Sequence, residues 1–326
     1  MGYKKMKYAP VVIPTLNRIE HLQRCITSLQ RNPWAKYTPL IISVDYPPSE
    51  KYQDGYQKVC SYLKEDITGF ASVEIIYQKE NLGPYENAEF LRKHVGSNYD
   101  RYIFLEDDIE TSPNFIEYID KGLDIFEEND DIIAICAGVP VCPESETDNV
   151  VLTPDFAAYG YGTWIIKENY YYERINRSYL LQLVKHTEAL IKLAKYSPSL
   201  LFALQEAILR RHKLYQLPNG EVPVIDMTIK IYAVVDDKYV IAACHKKVRN
   251  WGFDGSGENS PKVKNLEKGN GGNDKRDYFD YKFSNPIHIY KVPERKNLEL
   301  IIRSIVAIMR LKAWGLTHRE DHAWVD

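Results

Sequence analysis

Glu106, Asp107 and Asp108 are three consecutive carboxylates that directly follow the apolar run Tyr102-Ile103-Phe104-Leu105. That run has the length and character of a buried strand. The acids therefore stand at its carboxyl end, where open α/β sheets take their ligands. Adjacent carboxylates repel one another, so something must offset their charge. A divalent cation shared between carboxylate and phosphate oxygens would do so. The competing reading is an acidic lead-in to a helix starting near Ser112, since Asp and Glu suit the positive end of a helix dipole.

Other polar residues follow other strand-like runs. Pro14-Thr15-Leu16-Asn17-Arg18 comes after Val11-Val12-Ile13. It has neither the glycine spacing of a dinucleotide loop nor a Walker pattern. It can receive a nucleotide through its backbone, or Thr15 and Asn17 can cap the next helix. Asp45 ends Leu40-Ile41-Ile42-Ser43-Val44 and precedes Pro47-Pro48. It suits hydrogen bonding to a base or ribose, and equally a turn. Asp226 opens an apolar helix-like run, as a candidate general base or as that helix's cap. Asp236 and Asp237 form a second acidic pair at a turn. His245-Lys246-Lys247-Val248-Arg249 reads as a surface charge run, with a cation for a diphosphate as its alternative. Tyr161 and Trp164 suit stacking on a sugar or packing in a core.

The elements that must position these residues alternate. Ile19, Leu22, Ile26 and Leu29 recur at helical spacing, as do Tyr52, Tyr56, Val59 and Leu63. Val73 to Tyr77 reads as a third strand. Asn81-Leu82-Gly83-Pro84 turns into a third helix, with Pro84 near its start. Phe115, Ile119, Leu123 and Phe126 mark a fourth helix, and Ile132 to Ile135 a fifth strand. Near-continuous apolar strands between helices predict a mostly parallel sheet covered on both faces. Right-handed crossovers then bring the polar strand ends to one edge. After Pro140 the pattern changes. Val141 to Thr153 reads as irregular or antiparallel, and Phe156 to Trp164 is rich in aromatics and glycine. Glu173 to Tyr215 is helical, divided at Pro198. Val240 to Ala243 is strand-like, Trp251 to Gly257 a loop, and Lys262 to Asp277 a polar loop. Leu298 to Leu316 is an apolar helix carrying Arg303, Arg310 and Lys312.

Composition excludes several classes. With 42 Lys+Arg and 45 Asp+Glu among 326 residues, the formal charge is -3, so no global basic field draws nucleic acid. The five cysteines show no C-x-x-C spacing, and reduced thiols in a cytosolic protein are the expectation. No secretory leader, myristoylation pattern or uncharged run of transmembrane length is visible.

Three segments, Val11 to Arg18, Glu80-Asn81-Leu82-Gly83-Pro84-Tyr85-Glu86-Asn87-Ala88, and Leu105-Glu106-Asp107-Asp108, resemble the nucleotide-sugar half of GT-A glycosyltransferases. They are most similar to inverting family 2 enzymes and to the N-acetylglucosaminyltransferase I family, which uses a Glu-Asp-Asp triplet. Order and spacing match over roughly the first 140 residues. Gly160 to Trp164, Val224-Ile225-Asp226 and Arg249 to Asp254 resemble, more loosely, the acceptor half of related bacterial enzymes.

The resemblance implies roles. Pro14, Thr15, Asn17 and Arg18 would line the nucleotide site, and Asp45 would contact the base. Asn81, Gly83 and Asn87 would border the ribose and diphosphate. Glu106 and Asp107 would face the donor sugar and ribose. Asp108 would hold a divalent metal, Mn²⁺ or Mg²⁺, on the diphosphate, and Asp226 would be the base. The expected architecture is a GT-A-like α/β unit with a mostly parallel sheet flanked by helices. Residues 1–140 would be the nucleotide-sugar half and 141–297 the acceptor half, with a helical insertion at 174–216 and a helical tail at 298–326. The expected activity is inverting transfer from a nucleotide-diphosphate donor, a UDP-sugar first, to a glycan, lipid-linked or protein-linked acceptor in bacterial surface-glycan assembly. A sugar-1-phosphate nucleotidyltransferase and a non-catalytic nucleotide-sugar-binding module are the rival classes; the first expects a glycine-rich basic loop after the first strand. The 298–316 helix is expected to touch an anionic membrane from the cytoplasmic side, or to pack within the chain or against a second copy.

Overall fold

The computed structural model describes residues 7–138, 150–172, 174–210, 215–217, 220–222, 225–256, 288–289 and 298–317. The expected irregular start at Val141 and the Lys262 to Asp277 loop lie outside them. The chain divides into two compact units: Met1–Leu152, Ala157–Ile165 and Ile241–His288; and Thr153–Phe156, Ile166–Val240 and Ile289–Asp326.

The first unit opens with strict alternation: β1 (Val11–Thr15), α1 (Ile19–Gln30), β2 (Pro39–Val44), α2 (Gln53–Tyr62), β3 (Ser72–Tyr77), α3 (Pro84–Gly96) and β4 (Arg101–Phe104). A short β5 (Ile109–Thr111), α4 (Phe115–Ile125), β6 (Ile132–Cys136), β7 (Val150–Thr153) and β8 (Tyr161–Trp164) follow. β1 pairs in parallel with β2 and β4, and β2 with β3. The order β3-β2-β1-β4 reverses direction at β1, so the switch point of the sheet lies between β1 and β4.

Pro14 opens that point. Leu105 N donates to Val12 O, which places Val12, and two residues later Pro14, on the β4 side of β1. Proline has no N–H, and the β1–β4 pairing stops at Val12. The two strands part there, and the polar residues that follow occupy the gap.

The sheet departs from the expected parallel run at β8. β8 lies between β4 and β6, antiparallel to both. Sequence patterning hid it because Gly162 stands where a central strand normally carries a branched residue and Gly160, at φ +94, precedes it. Packing explains Gly162: a Cβ there would overlap Ile119 of α4 and lie 3.1 Å from Leu123 Cδ1. Tyr161 and Trp164 are buried, so they belong to the core.

The second unit is helical: α5 (Ile165–Tyr172), α6 (Arg177–Leu183), α7 (Thr187–Tyr196) and α8 (Pro198–Arg210), with Pro198 opening α8. A hairpin of β9 (Tyr215–Leu217) and β10 (Gly220–Val222) and then α9 (Ile225–Val235) complete it before the tail. The helical pattern thus reaches Arg210, and Tyr215 is already strand. β11 (Tyr239–Ala243), β12 (Val248–Asn250) and β13 (His288–Ile289) follow, and the sheet continues beyond β6 through β11, β7 and β13. The last helix, α10 (Leu298–Thr317), packs on α7 and α8. Cys25 and Cys60 carry thiols, whereas Cys244 is in a disulfide, against the expectation that all five are reduced.

Asp120 of α4 is fully buried. Its Oδ1 accepts from Ala9 N at 3.1 Å and its Oδ2 has no partner. Burial pushes this carboxyl up from 3.8 to about 8. The folded chain therefore holds a proton there that the unfolded chain has released, and stability falls as pH rises through that window. Asp120→Asn keeps an acceptor for Ala9 and removes the titration. Denaturation midpoints across the window should show the wild type losing stability relative to this variant, most steeply in the middle of the window. A constant difference would contradict the assignment.

Candidate functional site

The triplet is not a helix lead-in. It forms the turn between β4 and β5, with Ile109 N donating to Glu106 O, and α4 starts only at Phe115. Asp107 and Asp108 are buried, 3% and 7% exposed, while Glu106 is half-buried.

The counter-charge for the buried pair comes from Arg18. One guanidinium nitrogen donates to Asp107 Oδ1, and the other to Asp108 Oδ2 at 2.8 Å. Thr15 Oγ1 donates to Asp107 Oδ2 at 2.7 Å. Thr15 therefore does not cap α1: the cap position is Arg18, and no side chain caps it. Burial opposes ionisation of Arg18, but the two carboxylates outweigh it and hold the guanidinium charged well beyond its ordinary range. Burial and Asp107 push Asp108 up, and Arg18 opposes them.

Asp108 Oδ1 is buried and makes no hydrogen bond. An anionic oxygen left without a donor in a protein interior is costly, and this one follows β4 at the switch point. Among the described residues no group of three or more His, Cys, Asp or Glu could hold a metal alone. The donor set fits a cation that brings most of its ligands with it, as a bound diphosphate and water would.

A second layer fixes the pair from behind. β5 pairs antiparallel with β12, so Asn250 faces Ile109 and Val248 faces Thr111. Trp251 N donates to Asp108 O at 3.0 Å. Gly252 N donates to Asn250 Oδ1 at 2.7 Å. A Cβ on Gly252 would overlap Asp108 Oδ2 and lie 2.8 Å from its Cγ, so only glycine fits. The Arg24 guanidinium stacks over Trp251 at 4.4 Å, and Trp251 Nε1 donates to Glu110 Oε2 at 3.0 Å. His21 Nε2 lies 3.0 Å from Asp254 Oδ2. Burial opposes the ionisation of Asp254, yet hydrogen bonds from Ser256 and His21 bring its carboxyl down to about 2. The first turns of α1 thus grip the segment after β12. Sequence reading assigned Arg249 to Asp254 to the acceptor half and missed this support. The signal available was the Trp-Gly pair that ends a β-branched, charged run.

Asp45 organises the neighbouring strand end. Its N donates to Thr15 O at 2.8 Å. Its carboxylate accepts from the backbone of Tyr46, Leu82 and Gly83, each at 2.8 Å, and from Asn81 Nδ2 at 3.1 Å. Burial still leaves its carboxyl above the usual value. Gly83 has φ +85, which glycine adopts without strain, and leads into Pro84 at the start of α3. Asn87 is buried and bonded to Ser43 through both ends of its amide. Pro14 sits opposite Ser43 in β1, and Asn17 is half-buried in the turn after it.

The structure therefore brings Thr15, Arg18, Asp107 and Asp108 into direct contact. It joins Asp45, Asn81 and Gly83 in a second cluster, one backbone bond away through Thr15. Asp226 belongs to the second unit. It is the second residue of α9, and its Oδ1 accepts from Met227 N at 2.8 Å. Asp236 accepts from Tyr179 Oη at 2.7 Å, and Asp237 pairs with Lys192 at 2.7 Å. The run from His245 is not a surface charge run, because His245 and Lys247 are buried.

The sequence profile described as the GNT-I family matches residues 2–171. No curated protein matches the chain. Solved structures align over about half of it. The mannosyltransferase PcManGT from Pyrobaculum calidifontis, in complex with GDP-Man and Mn²⁺, is 10% identical, with a TM-score of 0.34, over 48% of this chain and 44% of its own. S. aureus TarS residues 1–349 in complex with UDP is 14% identical, with a TM-score of 0.36, over 50% and 49%. The aligned part is thus less than half of either structure.

Removing one side of a buried ion pair strands the other and costs about 3–5 kcal/mol. Arg18→Met should lose stability on that scale in chemical denaturation at neutral pH. A loss below about 1 kcal/mol, the range of exposed pairs, would show that the acids do not depend on this guanidinium.

Proposed function

Because the chain belongs to the GNT-I family of glycosyltransferases, we propose that it transfers a sugar from a nucleotide-diphosphate donor to an acceptor hydroxyl. The donor would sit at the parted ends of β1 and β4. The observation that carries this reading is the buried Asp107–Asp108 pair, which Arg18 balances only in part and which still presents one unpartnered carboxylate oxygen.

The roles follow from position and chemistry. The backbone from Pro14 to Arg18, with the Asn17 side chain, lines the nucleotide. Asp45 shapes the turn through Asn81 and Gly83 that borders base and ribose, and Asn87 fixes that turn to β2. Asp107, held by Thr15 and Arg18, faces the ribose and donor sugar with Glu106. Asp108 Oδ1 is the protein's ligand for a divalent cation, Mn²⁺ or Mg²⁺. When bound, that cation supplies neutralisation of the negative charge that grows on the departing diphosphate. Arg18 is a second positive group at the same place. A diphosphate entering the gap offers its guanidinium a competing anion, with bidentate geometry that suits arginine.

The donor would be a UDP-sugar, and the transfer inverting. Inversion needs a base to take the acceptor's proton during in-line attack. Asp226 is that base in this reading. The acceptor would be a glycan, lipid-linked or protein-linked, in surface-glycan assembly.

Two substitutions separate binding from chemistry. Asp226→Asn should keep donor affinity while turnover falls on the order of 10²–10⁴-fold, the usual contribution of a general base. Asp108→Ala should lose metal-dependent donor binding. Calorimetry with a UDP-sugar and a transfer assay read both. Retained transfer in the first would remove Asp226 as the base. Equal affinity with and without chelator in the second would remove Asp108 as the ligand.

A further inference from the structure

α10 is two-sided. Ser304, Ala307 and Leu311 are buried, and Ala307 and Leu311 join the apolar cluster of α6 to α9 that includes Leu190, Leu201 and Leu204. The opposite side is bare. Ile301, Ile302 and Ile305 are 50%, 53% and 53% exposed, and Val306, Met309 and Leu316 are 40%, 64% and 63% exposed. At 3.6 residues per turn these six fall within an arc of roughly 140° that runs along a helix about 30 Å long. Surface apolar residues scattered singly need no explanation, but a continuous stripe of this kind does.

Charge says what covers it. Arg303 and Arg310 flank one border of the stripe. Lys312 falls inside the arc near its other edge, and turns its Nζ aside to Lys185 O at 2.7 Å. Glu299 is the helix's one acid, so three positive charges against one negative leave an excess of two. A second copy meeting this stripe about a two-fold axis would set basic borders against basic borders. An anionic bilayer presents the opposite sign to both. Among the described residues no helix is long and apolar enough to cross a membrane, so the helix would lie in the plane of the interface.

We propose that the exposed face of α10 docks the chain on an anionic lipid bilayer, with the isoleucine–methionine stripe in the acyl boundary and Arg303 and Arg310 at the headgroups. The buried face stays on α7 and α8, so docking requires no unfolding of the second unit. The proposal is independent of the donor site. It bears on the acceptor, because a chain held at the bilayer meets lipid-linked acceptors confined to two dimensions.

The test is co-sedimentation of the full chain with phosphatidylcholine vesicles and with vesicles of phosphatidylcholine mixed with phosphatidylglycerol. Wild type should bind the anionic vesicles and lose binding as salt is raised. Arg303→Gln with Arg310→Gln should weaken that binding by about thirtyfold, the effect of two surface cations near an anionic leaflet. Ile305→Ser with Met309→Ser should abolish it. Both changes are on exposed positions, and thermal unfolding matched to wild type checks the fold. No vesicle binding by wild type, equal binding to neutral and anionic vesicles, or full binding by the serine variant would each overturn the proposal. So would a concentration-dependent dimer that the serine variant breaks, which would make a second copy the occupant.

Discussion

The arrangement depends on one ionic contact, the Arg18 guanidinium spread across Asp107 and Asp108. Two adjacent carboxylates in a largely water-free position cannot both stay charged without a partner. Arginine suits the place because its fork reaches both acids from one side chain and it cannot deprotonate. That need constrains the rest of the site. Arg18 must stand at the cap of α1, so β1 must leave β4 before Pro14 and end at Thr15. The acids must follow β4 without a helix to neutralise them, and β12 must bring Gly252 against Asp108 without a side chain. Each of these is an observed feature, and each loses its reason if the acids are moved.

The contact also leaves a residue of unbalanced chemistry. Arg18 takes one oxygen of Asp108 and leaves the other bare. A protein selected only for stability would pair that oxygen or replace the acid. Holding it open beside a switch point is the kind of local cost that functional sites carry. The question raised by three acids in a row, what offsets their charge, therefore has two answers in this chain. An arginine answers it in the free chain, and in the proposed reading a cation answers it when diphosphate is present.

Much of the first unit was legible because its strands are continuous branched-aliphatic runs and its helices carry one apolar stripe. Val11 to Ile13, Leu40 to Val44 and Ile132 to Ile135 leave little room for another assignment. β8 was illegible for a physical reason. Its glycine, Gly162, is chosen by contact with α4, a tertiary demand without local period. β5 and β12 were missed because three-residue strands carry no periodicity. At the site, residue types were legible and partnerships were not. Thr15 read first as a helix cap and second as part of a nucleotide site, and its bond to Asp107 removes the cap reading. Asp45 read as a turn or a base contact, and it holds the turn through four donors. His245 and Lys247 read as surface because charged runs usually are, and burial reverses that. In the tail, composition alone left membrane, partner and core open. The structure shows that one face of α10 is core and the other is not.

The central claim is that the strand-end cluster of Asp107, Asp108 and Arg18 is a donor site in which diphosphate and cation bind together. Equilibrium binding of a panel of UDP- and GDP-sugars to the full chain, with Mn²⁺, with Mg²⁺ and with chelator, tests it most directly. The account predicts that at least one nucleotide-diphosphate sugar binds, more tightly with metal, and that chelator or truncation to the monophosphate removes the gain. A panel in which none binds, or in which metal and chelator give the same affinity, would contradict it.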